Sequence, residues 1–464
     1  MRIALIDPPG INKGLNVGLS MLSACLGIKG YEVKIFDFNN NADSLAERIF
    51  HIRQYDLIGF SIKTFTLRNS LEIARALRRE DLFCGGPHVT LDGINLLKDS
   101  KYFKIGVIGE GEDAIGEIAD TIRNNLALSN IRGIVYRQAN EIITTASRNF
   151  PDDLDALPLS DYSAFDSVKK GIRDYPVITS RGCPYSCIYC CVGRVSGKAM
   201  RFRNISNVIR EIRNAKKIYH SQSFQILDDN FTFDVDRAKD FCRLLIKDKT
   251  NMPWSCPNGL RADRINEELV ALMKESGCRY VSIGIESLDE EVFANTKKGG
   301  KLEEIKSAVY LFNKYKIKLN GFFLIGLPKD TLAKTIGSFK KSKEIGVDSA
   351  HWNMFVPYPG TEAWEWVNKN AKIVCDWREG FHFGINLKPV FETNEFKTSQ
   401  MIRAYQTVNI KSKNYSAFFN GERPVIINAF VIFLHILRYD ATHIFEHLCY
   451  VIYNLSAVKK HIIK

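Results

Sequence analysis

Arg181-Gly182-Cys183-Pro184-Tyr185-Ser186-Cys187-Ile188-Tyr189-Cys190 sets three cysteines in a C-x-x-x-C-x-x-C spacing. A short strand-like run, Pro176-Val177-Ile178-Thr179-Ser180, leads directly into it. Cysteine thiolates hold iron–sulfur clusters, and a four-iron cubane normally takes four of them. Three thiolates from one tight loop leave one iron without a protein ligand, and an open coordination position is where a substrate or cofactor binds. Two blander readings compete, a zinc knuckle and three buried thiols. A zinc site calls for a second C-x-x-C or a histidine pair at finger spacing, and neither follows. Cys191 adjoins Cys190 and cannot easily reach another corner of the same cubane, so it reads as a small hydrophobe.

Downstream of the loop the chain alternates strand-like runs with helical patterns. A helix carries Ile205, Val208, Ile209 and Ile212 on one face. Strands are expected at Phe224 to Leu227, Trp254 to Pro257, Tyr280 to Ile285, Gly321 to Ile325 and Ala350 to Val356. Six strand–helix units in series suggest an incomplete parallel barrel, a fold whose chemistry sits at the C-terminal strand ends. Polar groups gather there: Asp228-Asp229-Asn230, Arg261, Glu286-Ser287 and the glycine turn at Gly326. Each also has a plain reading. The Asp-Asp-Asn run can cap a helix, Glu286 can be a helix N-terminal charge, and Arg261 can be one half of a surface ion pair. Their recurrence on successive strand ends favours a site.

Upstream, from Met1 to about Gln138, short apolar runs again alternate with helical patterns, as buried parallel strands and their connecting helices do. That spacing predicts a doubly wound α/β domain, which binds ligands beyond the C-terminal ends of its strands. Glycine turns fall at that edge: Pro9-Gly10, Gly85-Gly86-Pro87-His88 and Gly109-Glu110-Gly111-Glu112. Where Gly removes the Cβ, backbone can approach a flat or phosphate-bearing ligand. A hairpin-like segment, Gly133 to Thr145, leads into the acidic, proline-containing stretch around Asp152 to Pro158, which suits a linker. Internal repeats are not evident.

At 464 residues, with 45% hydrophobic and 25% charged residues, the chain reads as an ordinary globular protein of two or three domains. Eleven cysteines, an odd number without a framework, fit reduced cytosolic thiols better than disulfides. Met1 to Asp7 reads as a strand rather than a secretory signal. The apolar stretch from Val425 to Leu437 is broken by Asn428 and His435, and it is too short and polar for a membrane span. A formal charge of +12 allows an acidic partner, but no basic run is long enough for a nucleic-acid patch. Spread, solvated charge is the simpler account. Beyond Trp377 the pattern turns helical and aromatic. Ile427, Phe430, Val431, Leu434, Ile444, Leu448 and Val451 recur at helical spacing. Core packing is the expectation there. A lipid-facing surface beside Lys459, Lys460, His461 and Lys464 is the alternative.

The C-x-x-x-C-x-x-C loop, with Tyr189 before its last cysteine, resembles that of the radical S-adenosylmethionine enzymes. The likeness extends over roughly residues 1 to 370. It implies that Cys183, Cys187 and Cys190 hold a 4Fe–4S cluster and that Tyr189 packs by adenine. Asp228, Asp229 and Asn230 match the motif for the methionine amino group, Glu286 and Ser287 lie in the fourth-strand motif, and Gly326 lies in the fifth; with Arg261 these form the implied S-adenosylmethionine site. Upstream, Gly85, Gly86, Pro87, His88, Gly109, Glu110, Gly111 and Glu112 look like the loops of cobalamin-binding domains, and Ser61 and Thr64 match the polar loop facing the corrin. One departure matters. The loop from Pro8 to Gly18 has no histidine to ligate cobalt, which implies cobalamin bound without a protein imidazole or a domain that has lost the cofactor.

The resemblance thus implies an α/β chain. An N-terminal doubly wound Rossmann-like cobalamin-binding domain (1–140) and a linker (141–173) precede a partial (β/α)6 TIM-like radical S-adenosylmethionine barrel (174–375). A mainly helical C-terminal region (376–464) follows. The implied reaction is reductive cleavage of S-adenosylmethionine to a 5′-deoxyadenosyl radical, followed by methylation of a carbon centre with cobalamin. Cyclisation, oxidation or rearrangement is the alternative, and a cobalamin or redox sensor is the non-enzyme alternative. A small-molecule or lipid-like substrate is expected, with an electron donor such as flavodoxin or ferredoxin. The expected setting is the cytoplasm, with peripheral membrane contact as a variant.

Overall fold

The computed structural model describes residues 1–10, 14–41, 43–169, 171–381, 388–414, 425–444 and 447. The chain packs as two compact units. The first is residues 1–186 with 190–280, and the second is residues 187–189 with 281–464.

The first unit opens on β1 (Arg2–Asp7), whose central Ile3, Ala4, Leu5 and Ile6 are all at most 1% exposed. Such an unbroken apolar run suits a strand covered on both faces. The series continues through α1 (Val17–Ile28), β2 (Glu32–Asp37), α2 (Leu45–Ile52), β3 (Leu57–Ser61), α3 (Leu67–Leu77), β4 (Leu82–Gly85), α4 (Pro87–Asp99), β5 (Phe103–Val107) and α5 (Glu112–Arg123). Local signals fix the helix starts: Asn16 accepts from the Leu19 amide to cap α1, and Ser44 with Glu47 forms a capping box on α2. The sheet runs in the order β2-β1-β3-β4-β5 and is parallel. This is the doubly wound order whose switch point lies between β1 and β3. The hairpin expected at 133–145 extends the sheet as antiparallel β6 (Ile134–Gln138) and β7 (Glu141–Thr144). The sheet therefore reaches past residue 140.

The acidic stretch that follows is docked. Leu154, Tyr162 and Phe165 are buried, and backbone bonds from Ile35 to Ala164 (2.8 Å) and from Asp166 to Ile35 (2.9 Å) cover the open edge of β2. Arg48 and Asp166 close it with a buried ion pair at 2.8 Å.

The same unit goes on with β8 (Asp174–Val177), β9 (Ser180–Arg181), α6 (Val192–Val195), β10 (Arg201–Phe202), α7 (Ile205–Ile218), β11 (Ser223–Ile226), α8 (Val235–Lys247), β12 (Trp254–Leu260) and α9 (Glu267–Glu275). β8, β11 and β12 are parallel neighbours, and β9 pairs with β10 antiparallel. Trp254 stacks on Phe224 at 6.0 Å with Phe231 and Phe241 edge-on, an aromatic block under the strands.

β13 (Cys278–Glu286) carries the chain into the second unit. There follow α10 (Glu290–Asn295), α11 (Leu302–Lys314), β14 (Lys318–Ile325), α12 (Leu332–Glu344), β15 (Ser349–Met354), α13 (Glu362–Asn370), α14 (Thr398–Lys411) and α15 (Val425–Asp440). β14 and β15 are parallel, with Phe323 stacked on Trp352 at 4.1 Å on the buried face. The strand–helix alternation expected from 174 to 356 is present throughout.

The C-terminal expectation needs correction. On α15 it is Ile432 and Ile436 that are buried, whereas Phe430 is 60% and Leu434 48% exposed. The run Ala429-Phe430-Val431-Ile432-Phe433-Leu434 is apolar all round, so periodicity had no polar contrast from which to choose a face. Ile444 is half-buried. The side chain of Ile427, and Leu448, Val451 and the closing lysines, lie outside the described residues. Among the described residues no helix is long and apolar enough to cross a membrane.

Candidate functional site

Five consecutive residues at the start of the cysteine loop, Thr179 to Cys183, are each held by a named partner. Ser180 Oγ donates to Asp228 (2.7 Å), and the Thr179 amide and hydroxyl donate to the same carboxylate (both 2.6 Å). Arg181 pairs with Glu112 (2.6 Å) and Glu110 (3.0 Å). The Gly182 amide donates to Asp229 (3.3 Å), and the Cys183 amide to the Gly197 carbonyl (3.1 Å). Gly182 has φ +91°, and a Cβ there would lie 2.2 Å from the Ala199 carbonyl oxygen, so only glycine fits.

The Asp228-Asp229-Asn230 run is thereby divided. Asp228 is buried with both oxygens taken by loop donors, and burial raises its pKa. It ties the end of β8 to the end of β11 and is not poised for an ammonium group. Asp229 is different: burial pushes its carboxyl up to about 6. Asn230 donates from Nδ2 to Cys183 Sγ (3.8 Å), while its buried Oδ1 has no hydrogen-bond partner among the described residues. An acceptor left over in a dry site fits a cationic ligand group. Arg261 is engaged too. Its guanidinium lies 3.5 Å over the Tyr185 ring and makes a two-point pair with Asp263 (3.0 and 3.1 Å), so it braces the cysteine loop. Arg264 Nε donates to the Tyr185 hydroxyl (2.9 Å).

Cys183 and Cys187 are half-buried, Cys190 is exposed, and none of the three is in a disulfide among the described residues. Among the described residues no three His, Cys, Asp or Glu side chains converge on a single ion. A cubane asks for thiolates on separate irons, and the C-x-x-x-C-x-x-C loop supplies three of them from one short segment. Cys191 sits at the N-terminus of α6, where burial raises its thiol pKa, in keeping with a small hydrophobe.

Within the second unit, Ile188 anchors the middle of the loop: its amide donates to Thr296 (3.0 Å) and its carbonyl accepts from Ala363 (2.9 Å). Tyr189 beside it is half-buried. Glu286, at the end of β13, is 6% exposed and adopts φ +65°, a left-handed conformation rare for a side-chain residue. Lys298 Nζ holds it at 2.6 Å. Ser287 hydrogen-bonds Ser338 (3.1 Å) and accepts from the Asp289 amide, a turn-forming role. Gly326, at φ +94°, donates to the buried Asp330 (2.9 Å). Sequence reasoning missed Lys298 and also a polar group on the face of β14 and β15 opposite the Phe323–Trp352 stack. There His351 Nδ1 meets Asn320 Oδ1 at 2.5 Å, and Ser349 Oγ donates to the same oxygen at 3.0 Å.

The first unit encloses a cavity of ≈330 Å³ at the C-terminal ends of its strands. Ser61, Gly85, Gly86, Pro87, Gly109, Glu110, Gly111 and Glu112 line it, as the glycine turns suggest. Gly86 has φ +104°, with a Cβ position 2.9 Å from the Ile62 carbonyl oxygen, which confines that turn to glycine. Leu5, Leu19, Leu22, Phe60, Phe83 and Val107 give the wall an apolar face suited to a flat ring. Ile178, Ser180, Arg181, Leu227 and Asp229 line the same cavity. Thr64 and His88 do not. They are buried and hydrogen-bonded to each other (3.2 Å), and no histidine is among the described lining residues. Residues 11–13 of the histidine-free loop from Pro8 to Gly18 lie outside the described residues.

Two family models match this chain: the Radical SAM superfamily over residues 177–341 and the B12 binding domain over residues 12–119. An uncharacterized methyltransferase, PH0819, of Pyrococcus horikoshii is 26% identical over 93% of this chain and 95% of its own length. The cytidylyl-2-hydroxyethylphosphonate methyltransferase of Streptomyces wedmorensis is 24% identical over 75% of this chain and 76% of its own. Among solved structures, the radical S-adenosylmethionine methyltransferase TsrM of Kitasatospora setae, with cobalamin and a 4Fe–4S cluster bound, shares the fold. It aligns over 99% of both chains with a TM-score of 0.75 at 14% identity.

Proposed function

We propose, of a chain that belongs to the radical S-adenosylmethionine enzymes with an N-terminal B12-binding domain, that it transfers a methyl group to a carbon centre of a small-molecule or lipid-like substrate. The observation that carries this reading is the single cavity lined both by the corrinoid-type turns at Gly85–Pro87 and Gly109–Glu112 and by Arg181 and Asp229 from the cysteine-bearing strand ends. The relatives named as methyltransferases support it.

When bound, the cluster supplies one electron for cleaving S-adenosylmethionine and cobalamin supplies the methyl group. The chain's own residues hold and orient. Cys183, Cys187 and Cys190 give three thiolates. Asp229 and the unpartnered Oδ1 of Asn230 offer acceptors for the methionine ammonium. Tyr189 gives an aromatic surface for adenine, and Glu286, steadied by Lys298, offers its second oxygen to ribose hydroxyls. The apolar wall from Leu5 to Val107 would keep water from a bound corrin. A flavodoxin or ferredoxin would deliver the electron in the cytoplasm.

Anaerobic reconstitution tests the reading. The chain should take up about four irons and, with a reductant, form 5′-deoxyadenosine from S-adenosylmethionine, whereas Cys183→Ala should form none. Equal product from the variant would remove the cluster assignment, and with it the proposed chemistry.

A further inference from the structure

We infer that Arg181 is a positioning residue that couples corrinoid binding to cluster loading, an inference that rests on the reading above. Its guanidinium is buried and holds two carboxylates of the turn after β5, Glu112 at 2.6 Å and Glu110 at 3.0 Å. That turn lines the cavity. On the other side, Arg181 is two residues before Cys183, and its peptide neighbour Gly182 is tied to Asp229. Arg201 also pairs with Glu110, at 2.6 Å to Oε1 and 3.0 Å to Oε2, so two cations and two carboxylates form one largely buried group beside the cavity.

Buried charges of this kind tolerate little displacement, because each partner is stranded when the other moves. Ligation of Cys183 and Cys190 fixes the loop that carries Arg181, and a fixed Arg181 fixes the turn at 109–112. The ordering needed at the corrinoid wall is then already present once the cluster is in place. A second ligand that meets an ordered site binds more tightly, and the same factor acts in the reverse direction. Lysine cannot replace arginine here, since its ammonium is a single point where the guanidinium reaches both carboxylates.

The test compares hydroxocobalamin dissociation constants of the full chain before and after anaerobic cluster reconstitution. The wild-type chain should bind more tightly with the cluster, by a factor in the range of roughly 5- to 150-fold typical of coupled sites. Arg181→Lys, and independently Glu110→Gln should the first fail to fold, should bring that ratio close to one. A purely structural role would weaken both states alike and leave the ratio unchanged. A wild-type ratio of one, or a ratio preserved in a folded variant, would overturn the inference while leaving the proposed function standing. No hydroxocobalamin binding in either state would instead defeat the proposed function.

Discussion

Asn230 joins the two roles that the site asks of its polar residues, since one end of its amide touches Cys183 Sγ and the other is left over. A donor to a ligating sulfur favours the more negatively charged, reduced cluster. Asn230→Ala should therefore lower the cluster's reduction potential, read by spectroelectrochemistry, and should weaken S-adenosylmethionine binding; an unchanged potential would place Asn230 outside the cluster's surroundings. Asp229 makes a pH prediction. Burial holds its carboxyl at about 6 against an ordinary 3.8, with Asp228 adding to the rise and Arg181 and the Gly182 amide opposing it. Between those values the folded chain binds more protons than the unfolded one, so this group's contribution to stability falls as pH rises through the window. An ammonium beside it favours the ionised form. Affinity for S-adenosylmethionine should thus decline as pH drops below about 6 in the wild type, and in Asp229→Asn it should be weaker and flat with pH, measured by equilibrium dialysis. The sequence shows two adjacent carboxylates but not which one the β8 loop consumes, because that depends on Thr179 and Ser180 arriving from 49 and 48 residues away. Arg181 was unread for the same reason: its partner Glu112 is 69 residues upstream.

The elements were largely legible because their signals are local. Apolar runs gave β1 to β5 and the six later strands to within a few residues, and glycine turns marked the ends where the cavity lies. What was not legible is pairing and docking. Nothing local says that residues 164–166 will lie along the edge of β2, or that an all-apolar α15 will bury Ile432 and Ile436 and expose Phe430. The cysteine loop shows how strongly one position can be fixed. Gly182→Ala would place a methyl against the Ala199 carbonyl in a backbone region that costs a side-chain residue roughly 1–3 kcal/mol. The expected outcome is a lower urea midpoint and reduced iron uptake; full iron loading at wild-type stability would show that the loop can re-form without the left-handed turn.

At the scale of the molecule, the sequence separates a corrinoid-type domain from a barrel at residue 174, but the packing does not. The first unit runs to Tyr280 and takes in Arg181, Arg201 and the strand ends as well as the glycine turns. The buried Arg181–Glu110–Arg201 group is one tie within that unit, joining segments about 70 to 90 residues apart. Substrate choice was not legible because no local motif carries it, and polar groups such as His351 and Asn320 meet only when strands 31 residues apart pair. The central claim, methyl transfer to carbon, is tested most directly by labelling. The reconstituted chain, loaded with hydroxocobalamin and reduced anaerobically, is incubated with trideuteromethyl S-adenosylmethionine and a small-molecule extract. Mass spectrometry then searches for a compound carrying the intact deuterated methyl group on carbon. The account predicts such a product together with 5′-deoxyadenosine, and neither with Cys183→Ala. Formation of 5′-deoxyadenosine alongside a cyclised or oxidised product that carries no deuterium would contradict it.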